Sequence, residues 1–349
     1  MLRYLLRRLT WMIPTLFGIT LVSFLVMRLA PGDPAVLRGG APGETTGDVT
    51  ALVESFRAEH LLDRSLPVQY LHYLGPFDMG PRGHPWFGGD GTSSWGGLLV
   101  GDLGHEYRRP SVSVAGELGR RLRVTVPLSL VSILLSYLIA VPLGIHAAVR
   151  RGTPFEGLAS VLVFVLYALP VFWVGLLLQM GFGATGLGWL PILGLHDRDA
   201  AELGGWASAL DLVRHCILPV ACLTYGSLAY LSRQMRAGML ANVGADYVRT
   251  ARAKGLSERA VVVKHLLPNS VLPLFTVMGQ ILPVLVGGSI LVETVFDLPG
   301  IGRYAFEGLE GREYNVVMGT VLLSAVMTLV GFLISDLLTA LVDPRIRHG

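Results

Sequence analysis

The sequence predicts an all-α integral membrane protein of six transmembrane helices, with both termini cytoplasmic and a large extracytoplasmic loop between helices 1 and 2. Three observations carry that prediction. Of the 349 residues, 52% are hydrophobic and only 15% charged, against about 25% charged in soluble chains, and mean hydropathy is +0.56. The missing charge is absent from discrete stretches: six charge-free runs approach or exceed the roughly 17–25 helical residues needed to cross a hydrocarbon core of about 30 Å. Those runs do not alternate apolar and polar residues, which excludes a transmembrane β-barrel. The same composition excludes a disordered chain, a secreted disulfide scaffold and an ordinary soluble enzyme.

The runs are residues 9–27, 124–145, 157–195, 215–232, 265–292 and 314–335. The first follows Arg3, Arg7 and Arg8. It is longer than a signal-peptide core, and Arg28-Leu-Ala-Pro31 is a poor cleavage site, so it reads as a retained span. The third is too long for one crossing; residues 158–180 read as the helix and the Gly-rich 181–195 as an interfacial loop. In the fourth, eighteen residues separate Arg214 from Arg233, whose side chains can snorkel to the two interfaces. With the N-terminus inside, the inner segments 1–8, 150–157, 232–264 and 342–349 hold 14 of the 28 Lys and Arg, and the two short outer loops hold 4. That asymmetry places both termini in the cytoplasm. Cys216 and Cys222, six residues apart, face different sides of a helix and predict neither a disulfide nor a metal pair.

Residues 29–123 open with the turn signal Pro31-Gly-Asp-Pro34. An amphipathic stretch over 49–62 follows, with Leu52, Val53, Phe56 and Leu61, and then an irregular Gly, Pro and Trp-rich segment, 75–101. Too few apolar residues are present for an independent core, so this region reads as a cap over the bundle, compatible with a docking platform for an external partner. The organisation expected is therefore 1–28, cytoplasmic start and helix 1; 29–123, external loop; and 124–349, a five-helix core carrying the cytoplasmic loop 232–270.

That cytoplasmic loop is the most informative segment. Good helix formers run over 245–254, with Tyr247, Val248 and Ala251 on one side, and Gly255 stands where a helix ends in the left-handed conformation. Ser257 can cap a second helix with Glu258 in its first turn, and Pro268 marks the entry to the next span. Arg249, Arg252, Lys254, Arg259 and Lys264 make the loop basic. They suit either anionic lipid or a docked protein, and a small-residue face at Ala251 and Gly255 would let a partner approach closely.

Chemistry is sparse elsewhere. The two lysines, Lys254 and Lys264, are followed by Gly and His, so no P-loop is present. The nucleophile-elbow, zinc-protease and Cys-x-x-Cys patterns are missing, and His60, His72, His84 and His105 fit no ligand spacing. No catalytic residue, cofactor, metal or nucleic-acid partner is expected. Ionisable residues near the spans are few: His146 and Asp336 at inner ends, Arg214 and Glu293 at outer ends. With no inverted repeat either, the bundle has no energy source of its own.

The run Asp246-Tyr-Val-Arg-Thr-Ala-Arg-Ala-Lys-Gly255, followed by His265-Leu-Leu-Pro-Asn269, resembles the EAA loop of bacterial ABC importer permeases of the dipeptide/oligopeptide/nickel family. Ala251, Gly255, Leu267 and Pro268 fill the pattern, while Arg249 and Thr250 replace its Glu-Ala. The resemblance extends along the chain through Leu5-Leu-Arg-Arg8, Pro31-Gly-Asp-Pro34, Gly101-Asp-Leu-Gly104, Leu169-Pro170 with Phe172-Trp173, Glu293-Thr-Val-Phe296 with Pro299-Gly-Ile-Gly302, and Asp343-Pro-Arg-Ile-Arg347. Departures are His105-Glu106, Phe332 and Thr339. The resemblance implies a subunit of the bacterial inner membrane that passes short peptides inward by alternating access, with a nickel chelate or a non-transporting scaffold as alternatives. It implies a second homologous permease subunit, two cytoplasmic ATPase subunits that bind the ATP, and an extracytoplasmic substrate-binding protein. Tyr247, Arg249, Ala251, Arg252, Lys254, Gly255, Leu267 and Pro268 would form the ATPase-coupling loop. Glu293, Phe296, Pro299, Gly300 and Gly302 would contribute to an outer gate.

Overall fold

The structure, a computed structural model, describes residues 2–36, 47–75, 97–183, 185–197, 202, 204–271, 274, 284 and 289–342. Among the described residues every regular element is helical, and one isolated bridge joins His105 and Ser113. Thirteen α-helices follow in order: α1 (Leu2–Leu29), α2 (Gly47–Glu59), α3 (Leu66–Leu74), α4 (Val114–Val149), α5 (Pro154–Ala168), α6 (Val171–Phe182), α7 (Gly205–Asn242), α8 (Asp246–Ala253), α9 (Glu258–Ala260), α10 (Leu267–Ser270), α11 (Ile290–Val295), α12 (Ile301–Glu310) and α13 (Tyr314–Val342). A π-helical turn, Val261–Leu266, joins α9 to α10. Four of these helices are long and apolar enough to cross a membrane, or five if the bent pair α5–α6 is one span. Most of the fifth expected span, 265–292, lies outside the described residues, as do 76–96 and 343–349.

The spans depart from their expected lengths. At 36 and 38 residues, α4 and α7 are each about 55 Å long at 1.5 Å per residue, well beyond a hydrocarbon core. The fourth helix therefore does not stop at Arg214 and Arg233: its polar ends continue as helix, with Asp211 held by His196 and Arg236 paired with Glu156 of α5. The expected single helix over 158–180 is broken. Leu169 (φ −79°, ψ 128°) and Pro170 (φ −61°, ψ 135°) are both extended, and α5 and α6 meet at 98°. The proline ring disfavours a helical residue before it and leaves no N–H to continue the ladder. Tyr225 Oη donates to the freed Leu169 carbonyl at 3.1 Å.

Two compact units cut across the three-part division expected from sequence. One comprises 2–122 and 304–326. Its core is aromatic: Phe24 of α1, Phe56, Tyr70 and Tyr73 of α2 and α3, Tyr107, and Tyr314 of α13, with Met27, Ala35 and Met318. The loop region is thus not a cap without a core. Its few apolar residues are large rings, each burying more area than an aliphatic side chain, and α1 and α13 supply the rest. Two buried carboxylates tie down the loop before α4. Glu313 accepts the backbone N–H groups of Tyr107 and Arg108, the latter at 2.8 Å. Glu106 accepts Arg109 at 2.7 and 2.9 Å and the Tyr304 hydroxyl at 2.8 Å. Burial and the facing Glu106 carboxylate push the Tyr304 hydroxyl far above its ordinary pKa, so it stays a donor.

The other unit comprises 123–303 and the end of α13. It holds two apolar clusters. One joins Ala140 and Ala148 of α4 to Leu231, Met235 and Met239 of α7, Val248 and Ala251 of α8, Val261, Leu266 and Leu274. The second joins Leu128, Leu218, Val220 and Cys222 to Val292, Phe296 and Leu298.

Glu313→Ala would leave the buried Tyr107 N–H and the part-buried Arg108 N–H without their acceptor, a cost of about 1–3 kcal/mol. Amide exchange over residues 105–110 should accelerate at least tenfold; wild-type protection there would show that the carboxylate does not hold this loop.

Candidate functional site

The loop after α7 is built by an apolar stripe and two helix stops. Val248 and Ala251, three residues apart, are 0% and 4% exposed and anchor α8 on the core of α4 and α7. Lys254 closes the helix, and Gly255 follows at φ +76° with its N–H on the Arg252 carbonyl at 2.9 Å. Ser257 then caps α9, its hydroxyl accepting the Ala260 N–H at 3.4 Å. Across this turn Arg252 reaches Glu258 with two contacts, 2.8 and 3.3 Å. Because both side chains are exposed, 41% and 62%, the pair contributes at most about 1 kcal/mol; it orients the turn more than it stabilises it.

The residues expected in this loop divide by exposure. Arg249, Arg252, Lys254, Gly255 and Pro268 face out, and Leu267 is half-buried. Tyr247 is 39% exposed and its hydroxyl donates to Asn242 Oδ1 at 3.1 Å; it does not share the buried side with Val248. Ala251 does not form an outer small-residue face with Gly255, because it is spent on the inner core. The open position is Gly255, where an added Cβ would meet nothing within 4 Å. Pro268 stands in the first turn of α10. The π-turn Val261–Leu266 runs directly into α10, a wider turn that accommodates a residue without an N–H. Leu256 and Val263, 42% and 53% exposed, were missed: sequence alone does not tell which side of the turn faces out.

The segment 293–303 is a closed polar corner. Glu293 is 3% exposed. Its Oε1 accepts the Thr125 hydroxyl at 3.1 Å and its Oε2 the Arg303 N–H at 2.7 Å. Thr125 Oγ1 in turn accepts the Ile301 N–H at 2.9 Å. The carboxylate therefore sits on the N-terminus of α12, where N–H groups and the helix dipole favour negative charge. Gly300 packs directly on it: a Cβ there would lie 2.2 Å from Glu293 Cδ. Phe296 and Leu298 are buried, Asp297 takes φ +52° and pairs with Arg303, and Pro299 starts the return toward α12. Gln179 of α6 donates to the Ile192 and Val295 carbonyls at 3.0 and 2.8 Å, and the Gly194 N–H donates to the Phe296 carbonyl at 2.9 Å. Glu293, Phe296, Gly300 and Gly302 thus come together, through a Thr125 partner that lies 168 residues away in sequence.

A second polar cluster was not anticipated. His196, Asp197, Asp211 and His215 converge where the 183–197 loop meets α7. Because the helix expected from sequence began at His215, the i, i+4 pair Asp211–His215 was hidden.

Residues 140–348 match the family described as binding-protein-dependent transport system inner membrane component, and residues 1–85 match its N-terminal region. The full chain is 35% identical to the dipeptide transport system permease protein DppB of Escherichia coli K12, covering 99% of that protein. It is also 35% identical to the oligopeptide transport system permease protein AppB of Bacillus subtilis strain 168, each chain covered entirely. Among solved structures, the inward-facing MetNI methionine ABC transporter superposes with a TM-score of 0.51 at 20% identity, over 66% of this chain and 97% of that one; this is a likeness of fold.

Thr125→Val keeps the shape of the side chain and removes the hydroxyl that links Ile301 to Glu293. The corner should lose about 1–3 kcal/mol, read as faster amide exchange over 298–304, while Thr125→Ser retains protection. Equal exchange in Thr125→Val and wild type would show that the link does not hold the corner.

Proposed function

Since the chain belongs to the family of binding-protein-dependent transport inner-membrane components, and is thus a multi-pass ABC importer permease rather than an enzyme, we propose that it carries short peptides into the cytoplasm. The observation that supports this most directly is full-length identity of 35% to permeases named for dipeptides, oligopeptides and di/tripeptides. Those names favour peptides over a nickel chelate, and transport over a passive scaffold.

On this reading six helices cross the membrane with both termini inside, and the exposed turn at Arg249, Arg252, Lys254 and Gly255 docks on a cytoplasmic ATPase. Two such ATPases bind the ATP, a second permease subunit completes the path, and an extracytoplasmic binding protein delivers the peptide. The corner at Glu293 and Gly300 borders the outer gate, and alternating access moves cargo past it. The direct test is uptake: deleting this subunit while the ATPases and binding protein are still made should abolish accumulation of labelled di- and tripeptides. Normal peptide uptake in the deletion strain would refute the reading.

A single cysteine at Ser257, in a background without Cys216 and Cys222, should react with a membrane-impermeant thiol reagent only in inside-out vesicles. Labelling in intact cells would overturn the topology.

Gly255→Val forces a β-branched residue into a positive φ, at a cost of at least about 1 kcal/mol, and turns α9 away from its position. The subunit should still accumulate in the membrane, yet peptide-stimulated ATP hydrolysis and uptake should fall at least tenfold, with Gly255→Ala intermediate. Wild-type coupling in Gly255→Val would show that this turn does not transmit motion.

A further inference from the structure

The cluster at the start of α7 has the composition and spacing of a transition-metal site. His215 is 4% exposed and Asp211 8%, burial unusual for two ionisable side chains one helical turn apart. The Nδ1–H of His215 donates to its own helix, to the Asp211 carbonyl oxygen at 2.9 Å. A carbonyl can only accept, so Nδ1 carries the proton and Nε2 presents a lone pair. That lone pair meets no hydrogen-bond donor among the described residues. The polar atom facing it is another acceptor, Asp197 Oδ1, at 3.7 Å.

A buried acceptor aimed at an acceptor is unfavourable unless a cation lies between them or the ring takes up a proton. Two ligands at about 2.0–2.1 Å from one tetrahedral zinc ion stand about 3.4 Å apart, close to the separation seen. Asp211 lies beside them: one ligand atom from each of Asp197, Asp211 and His215 lies within 4.8 Å of the others, and Asp211 Oδ1 is 3.2 Å from the protonated His215 Nδ1, so its carboxylate must turn toward Nε2 to share an ion with it. The supporting contacts are also those of a metal site. His215 is oriented by a backbone carbonyl through its other ring nitrogen, and Asp211 Oδ2 is held by His196 Nδ1 at 2.8 Å and the Asp197 N–H at 3.3 Å. Asp197, with its side chain 66% exposed, can swing to close the remaining distance.

We propose that Asp197, Asp211 and His215 bind one divalent transition-metal ion of the zinc type, with water in the fourth position. One imidazole with two carboxylates suits zinc better than calcium or magnesium, which take oxygen ligands. The ion would join the 183–197 loop to α7, and that loop is itself bonded to the outer corner through Gly194 and Phe296. The site thus fixes the position of the loop independently of the cargo carried.

The test uses the full-length chain purified in detergent, stripped with chelator and titrated with zinc chloride against a competing fluorescent indicator. One zinc per chain should bind, with a zinc-dependent rise in Tm. Asp197→Ala changes an exposed side chain and should leave the metal-free Tm intact while weakening zinc binding 10–100-fold. His215→Gln should abolish binding; if that variant does not fold, Asp197→Ala still decides the matter. Zinc binding equal in Asp197→Ala and wild type would overturn the proposal. So would a wild type whose Tm ignores zinc and instead rises only as histidine is protonated, which would assign the cluster to an ion pair.

Discussion

Inside a bilayer no water reaches a stray backbone N–H or C=O, so each interruption of a helix must bring its own partner. That constraint organises the unit formed by 123–303 and the end of α13. At Leu169-Pro170 the helix stops, and Tyr225 takes the released carbonyl. Beyond α6 the chain leaves helical order, and the Gln179 side chain spends both hydrogens of its amide on the Ile192 and Val295 carbonyls. At the α11–α12 corner the N–H groups of Ile301 and Arg303 go to Thr125 and Glu293. Each break is matched by polar side chains, Tyr225 and Thr125 from other helices and Gln179 and Glu293 from the helix that ends. This is why a chain so poor in charge keeps those few polar residues buried.

The charge-free runs made the helical class and the positions of the described spans legible in the sequence, because such a run of this length has few other uses. The ends were not legible. Asp211 and Arg236 extend α7 beyond the apolar run, since Asp211 is held by His196 and Arg236 pairs with Glu156 of α5, and such partners are invisible one residue at a time. The 98° bend was signalled by Leu169-Pro170, but a proline in an apolar run is compatible with either a kink or a full break. Which one occurs depends on whether a partner such as Tyr225 is available.

The same logic applies to the polar sites. Gly255 could be read because its conformation is local: a helix of good formers, a glycine and a capping serine determine one another within a dozen residues. The Glu293 corner could be recognised only as a motif, since its geometry rests on Thr125, and the aromatic core around Phe56 and Tyr107 only as scattered rings. His105-Glu106, a departure from the family pattern, becomes intelligible once Glu106 is seen bonded to Arg109 and Tyr304. That carboxylate is an anchor for the loop and not an idle replacement.

Energetics then decide which features of the basic loop are fit to transmit force. The exposed pair Arg252–Glu258 contributes at most about 1 kcal/mol and weakens with salt. Val248 is fully buried, which is worth about 1.5–3 kcal/mol, and it belongs to the same cluster as Met235 and Met239 of α7. Displacement of the turn therefore has to carry the C-terminal end of α7 with it, because sliding α8 alone would open a cavity in that cluster. The cations outside, Arg249, Lys254, Arg259 and Lys264, are free to set how a partner approaches without bearing load. On the proposed reading, recognition falls to the exposed cations of α8, α9 and the turns beside them, and transmission to the buried side of the eight-residue α8; a partner needs to grip only the exposed side for the bundle to follow.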